Sequence, residues 1–115
     1  MLIFVYGTLR KGESNHNMVE DSPFVGVYRT EPCYALHDLR WFPAMVTGGS
    51  TSVVGEVYEV DRKTLWELDR LEGHPSYYQR QDIHLDDGQT VQAYLMPVES
   101  ACDYPTIDSG DWLER

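Results

Sequence analysis

The sequence predicts an α+β domain whose sheet curls toward a barrel. Three observations predict it: many short β-type runs, only two helical patterns, and glycine-rich turns between them.

Leu2-Ile3-Phe4-Val5-Tyr6 is a β-branched and aromatic run stopped by Gly7, the pattern of a buried first strand. The segment Gly7 to Gly12 is then a turn. Residues 13 to 22 are polar around one apolar pair and stop at Pro23, so a single short helix is expected there. Phe24 to Thr30 and Tyr34 to Leu39 have the composition of two strands. Trp41 to Val46 is an apolar stretch interrupted by Pro43, and Thr47 to Ser52 is a flexible turn.

Val53 to Val60 is the clearest strand, with two alternating sets of residues for its two faces. Asp61 has the acceptor side chain of a helix N-cap, and the helix it starts runs from about Arg62 to Glu72. Gly73 and Pro75 supply the usual chemistry of a helix end. Tyr77 to Leu85 and Thr90 to Met96 follow as strands around Asp86-Asp87-Gly88-Gln89, which carries the Asp-Gly hairpin signal.

A chain of 115 residues that is 42 % apolar fits one domain over residues 1 to 115. Its formal charge of −10 repels phosphate backbones and anionic lipid headgroups, which argues against nucleic acid or a membrane as partner. No apolar run approaches the roughly 20 residues that span a bilayer, and the opening residues lack the basic flank of a secretory signal, so the expected location is the cytoplasm. Cys33 and Cys102 are far apart with no metal-type grouping, and both are expected as reduced thiols. A monomer is the expected state.

Two features could carry chemistry. On the wheel of the second helix Leu65, Leu68 and Glu72 fall within about 60° of one another, which turns the Glu72 carboxylate toward the core. Glu67 and Arg70 lie on the far side, and Asp69 is borderline. A carboxylate in the last turn opposes the helix macrodipole and, against an apolar wall, has the raised pKa of a proton shuttle. The same residue could instead bend out to water or pair with Arg80. The second feature is Tyr6-Gly7-Thr8-Leu9-Arg10-Lys11-Gly12, where a buried strand opens into a loop of backbone N–H groups and one hydroxyl. Such a loop can hold a carboxylate or a developing oxyanion, although a plain strand-to-helix turn would look similar. The four histidines are scattered without nucleophile or metal spacing, and Tyr58, Tyr77, Tyr78 and Tyr94 suit a core or a pocket wall.

Phe4 to Gly12 with Asn15-His16, Gly55 to Asp61, and Leu68-Asp69-Arg70-Leu71-Glu72 followed by Tyr78-Gln79-Arg80 together resemble the γ-glutamylcyclotransferase-like (AIG2-like) family, and more closely its γ-glutamylamine cyclotransferase branch. The tail Tyr104 to Trp112 is more similar to plain bacterial or plant members. The resemblance implies a small mixed β-barrel with flanking helices, no metal or organic cofactor, and release of 5-oxoproline from a γ-glutamyl amine or amide. It implies Glu72 as the general acid/base. It implies that the loop Tyr6, Gly7, Thr8, Leu9 and Arg10 binds the substrate's α-amino-acid end, with Tyr78 and Tyr94 on the wall. A small-molecule binding module that retains the pocket without turnover is the alternative, and an acidic interaction domain is a third reading.

Overall fold

The computed structural model describes all 115 residues. Its first strand, β1 (Leu2–Val5), lies at the middle of a five-stranded sheet. Around it run β2 (Phe24–Arg29), β5 (Val54–Glu59), β6 (Gln79–His84) and β7 (Thr90–Leu95), in the spatial order β2-β5-β1-β7-β6. β3 (Tyr34–Asp38) and β4 (Pro43–Thr47) form a separate two-stranded ribbon. β1 is antiparallel to β5, with Ile3 opposite Tyr58, and parallel to β7, with Ile3 opposite Gln92.

A strand at the centre of a sheet covered on both faces has no polar side, which is why β1 is a continuous apolar run. Its alternate residues part between two cores. Phe4 and Tyr6 join Leu36, Met45, Val57 and Leu95 inside the curl of the sheet. Ile3 and Val5 join Tyr58, Leu68 and Tyr94 under the helix α1 (Arg62–Glu72).

The expected α+β class and the curled sheet are both present, but the sheet is not a closed barrel. The edge strands β2 and β6 meet only at the isolated bridge between Thr30 and Leu85. The ribbon is tied on separately, through the Met96 N–H to the Met45 carbonyl at 3.0 Å and the bridge between His37 and Thr106.

α1 has the bounds its caps predict. The Asp61 side chain accepts from the Thr64 N–H at 2.7 Å, and Gly73 closes the helix at φ 66°, a left-handed conformation that costs glycine little. Of the helix expected within residues 13 to 22, only a single 3₁₀ turn forms, His16–Met18, because the Asn15 side chain makes no cap and no apolar stripe follows. The short helix α2 (Val98–Ala101) and a second 3₁₀ turn, Trp112–Glu114, have no counterpart in the sequence reading. Trp112 is buried in the inner core, and its indole N–H donates to Glu13 Oε1 at 2.8 Å.

Candidate functional site

Where β1 ends, the chain is held from three sides. The buried Tyr6 hydroxyl donates to the Tyr94 carbonyl of β7 at 2.6 Å and accepts from the Met45 N–H of β4 at 3.1 Å. Gly7 then passes so close to Pro43 that an added Cβ would lie 2.5 Å from Pro43 Cγ. The Thr8 hydroxyl accepts from Asn15 Nδ2 at 3.0 Å, and the Thr8 carbonyl accepts from the Asn15 N–H at 2.9 Å. No acceptor within the chain engages the backbone N–H groups of Gly7, Thr8 and Leu9. Consecutive unengaged N–H groups make a concavity suited to an anion.

This loop forms one side of a cavity of about 230 Å³, and the last turn of α1 borders the same cavity with Leu71 and Glu72. Tyr78 and Tyr94 complete the wall, the Tyr78 hydroxyl donating to the Pro43 carbonyl at 2.8 Å. Glu72 is partly buried and makes no hydrogen bond or ion pair through its carboxylate, and burial pushes its pKa up to about 7. Burial also raises the hydroxyls of Tyr6, Tyr78 and Tyr94, and the nearby Glu72 charge adds to each, so all three stay protonated near neutral pH.

Neither alternative for Glu72 is what the fold adopts. Arg80, the partner considered for it, binds Asp69 in a two-point ion pair, Nε to Oδ1 at 2.9 Å and Nη2 to Oδ2 at 3.2 Å. The Tyr94 hydroxyl also donates to Asp69 Oδ1, at 2.6 Å. Burial works against the charge on Asp69, but Arg80 and Tyr94 outweigh it and hold that carboxyl below the usual range. The borderline place of Asp69 on the wheel was the signal for this role, but its partners lie on β6 and β7, which a wheel does not contain.

Of the residues expected to contact substrate, Tyr6, Gly7, Thr8, Leu9, Tyr78 and Tyr94 line the cavity together with Glu72. Arg10 does not. The chain reverses after Leu9, with the Arg10 N–H donating to the Gly7 carbonyl at 3.0 Å, and the buried guanidinium points the other way. Its Nε donates to Glu56 Oε2 at 3.0 Å and its Nη1 to Asp111 Oδ1 at 2.8 Å. Glu56 Oε1 also accepts from the Lys11 N–H and the Tyr58 hydroxyl, so Arg10 is the hub of a buried network that fixes the loop from behind. Asn15, which also lines the cavity, carries no contact role in the sequence reading, although it falls in a segment singled out there; Trp41, in the apolar stretch Trp41 to Val46, lines it too. No group of three or more His, Cys, Asp or Glu side chains is placed to hold a metal ion, Cys33 and Cys102 are free and exposed, and no helix is long and apolar enough to cross a membrane.

The fold and the cavity define a class: small α+β proteins in which an unpartnered helix-end carboxyl and a loop of unengaged N–H groups at the end of the central strand line one cavity. The chain belongs to the family described as gamma-glutamyl cyclotransferase, AIG2-like, whose model matches residues 3–114. A Vibrio cholerae protein provisionally named a γ-glutamylcyclotransferase is 47 % identical over 99 % of this chain and 96 % of its own. The Escherichia coli K12 γ-glutamylcyclotransferase family protein YtfP is 38 % identical, over 100 % of this chain and 98 % of its own. The crystal structure of an AIG2-like protein from Mus musculus superposes with a TM-score of 0.75 at 30 % identity, covering 96 % of this chain and 87 % of that one.

Proposed function

We propose that this protein is a cyclotransferase that releases 5-oxoproline and a free amine from a γ-glutamyl amine or amide, with Glu72 as general acid and base. The observation that carries the reading is one unpartnered carboxyl, its pKa raised to about 7, lining the same cavity as the unengaged N–H groups of Gly7 to Leu9.

A γ-glutamyl amide contains its own nucleophile, because attack of the α-amine on the γ-carbonyl closes a five-membered ring. The enzyme's tasks are to orient the chain and move protons. In this mechanism the loop N–H groups hold the α-carboxylate, and the ionised Glu72 takes a proton from the α-ammonium. The free amine forms the new C–N bond. The tetrahedral intermediate then expels the amine as Glu72 returns the proton to its nitrogen, breaking the old C–N bond. The second proton of the α-nitrogen also ends on the departing amine, so the reaction needs no co-reactant and no covalent bond to the protein. A carboxyl near pKa 7 suits both directions of transfer at neutral pH.

Incubation with γ-glutamyl amines, γ-glutamyl dipeptides and glutathione, followed by mass spectrometry for 5-oxoproline, tests the proposal. It requires 5-oxoproline and an equal amount of free amine from at least one class. Thermal stabilisation by such compounds with no product from any would favour a binding module instead.

A further inference from the structure

The loop that follows β1 has its polar groups sorted by kind. Each of its three carbonyls is met by a donor from the chain just beyond: Gly7 O accepts from the Arg10 N–H at 3.0 Å, Thr8 O from the Asn15 N–H at 2.9 Å, and Leu9 O from His16 Nδ1 at 3.0 Å. A carbonyl only accepts, so that ring nitrogen of His16 carries a proton. The N–H groups of the same three residues have no acceptor in the chain. The Thr8 side chain is sorted in the same way. Asn15 Nδ2 donates to its oxygen at 3.0 Å, and no acceptor in the chain takes its proton. Asn15 is itself held in place by the N–H bond to Thr8 and by its carbonyl, which accepts from the Met18 N–H at 3.0 Å. No Lys, Arg or His lines the cavity, so an anion at this loop is met by uncharged donors.

Resting on the cyclotransferase reading, we propose that Asn15 is a positioning residue for the reaction: by donating to Thr8 Oγ1 it fixes the Thr8 hydroxyl as a donor to the substrate's α-carboxylate. A hydroxyl has one proton and two lone pairs, and when free to rotate it presents either to a ligand. A rotating hydroxyl therefore accepts from the NH2 of a carboxamide as readily as it donates to a carboxylate. Held by Asn15, it joins the N–H groups of Gly7, Thr8 and Leu9 as a fourth donor. A carboxylate offers these donors two accepting oxygens and gains charge-assisted bonds. A carboxamide offers one, and its NH2 is left facing a donor, which costs the desolvation of both groups. The remaining amide oxygen of Asn15 only accepts, so Asn15 is no ligand of the carboxylate and acts through Thr8.

The test measures by calorimetry the affinities of 5-oxoproline and of its carboxamide, with KM and kcat for γ-glutamylmethylamide in parallel. Wild type is expected to bind the acid at least about tenfold more tightly than the amide. Thr8→Val and Asn15→Leu each reduce that ratio several-fold. The double variant reduces it no further than Thr8→Val alone, because both residues act through one hydroxyl. Thr8→Ser, which keeps the hydroxyl, retains the wild-type ratio. In Asn15→Leu, KM rises while kcat and its pH profile stay in place, a split that a general loosening of the loop would not produce. Equal binding of acid and amide by wild type, an unchanged ratio in Thr8→Val or Asn15→Leu, or effects that multiply in the double variant overturns the inference and leaves the cyclotransferase reading intact. Release of 5-oxoproline from no γ-glutamyl compound counts against the cyclotransferase reading itself. The affinity ratios then still decide the role of Asn15, and failure of wild type to bind the acid overturns it.

Discussion

Asp69 and Glu72 lie three residues apart on α1 and are held in opposite electrostatic states. Asp69 is gripped by Arg80 and Tyr94 and held below its ordinary range, while Glu72 has no partner and is pushed up to about 7 by burial. The cation that could have neutralised Glu72 is spent on its neighbour. One turn of helix thereby supplies an anchor to β6 and β7 and an unpartnered carboxyl beside the cavity.

The first consequence is a pH profile. A base must be ionised to accept a proton, so kcat/KM is expected to rise about tenfold per pH unit on the acid side and level off above about 7. Steady-state kinetics between pH 5 and 9 measures this. A profile flat down to pH 5 would separate Glu72 from the rate.

Stability should move the other way with pH. With a folded pKa of about 7 against the ordinary value of 4.5, the native state binds more protons in that window, so stability falls as pH rises from about 4.5 to 7. The full effect would be about 3 kcal/mol, and solvent reaching the partly exposed side chain reduces it to about 1–3 kcal/mol. Glu72→Gln lacks this titration and should be more stable than wild type at pH 8, with the advantage shrinking toward pH 5. Urea unfolding at both pH values checks the sign.

Glu56 is expected to matter more for stability than Glu72. Burial opposes its ionisation, but bonds from the Lys11 N–H, Arg10 and Tyr58 prevail and hold its carboxyl below the ordinary range. Glu56→Ala leaves the Arg10 guanidinium with Asp111 alone and the Tyr58 hydroxyl without its acceptor. The expected loss is about 3–5 kcal/mol, read by denaturant unfolding at pH 7.

Gly7→Ala tests the close approach of loop and ribbon. Its Cβ would come within 2.6 Å of Pro43 Cδ, part of a rigid ring. Either the loop or β4 must shift, so kcat/KM should fall by roughly tenfold or more, since small misplacements of positioning groups are costly. Wild-type kinetics in this variant would show that the loop tolerates displacement.

How much of this could be read from the sequence depended on the range of the interaction. The bounds of α1 were legible because Asp61 and Gly73 act within one turn of their own positions, and the inward aim of Glu72 followed from the spacing of Leu65 and Leu68. The β6–β7 hairpin was legible from Asp87-Gly88, with Gly88 at φ 91° in the turn. The destination of Arg10 was not. Its acceptors lie 46 and 101 residues away, on β5 and in the tail, and a local motif presents Arg10 as part of the loop it supports from behind. The same holds for Arg80, whose choice of Asp69 over Glu72 depends on the β6–β7 register, which sets Arg80 opposite Tyr94. The barrel expected from the family stays open because β2 and β6 share one bridge in place of a ladder. α2 has four residues and no side-chain cap, too little local signal to detect.

The most direct measurement is single-turnover release of 5-oxoproline by wild type and Glu72→Gln from the same γ-glutamyl amide, with ligand affinity measured in parallel. The account predicts a folded variant that binds within a few-fold of wild type yet forms product at least about 10²-fold more slowly. Near-normal product formation by Glu72→Gln would contradict it.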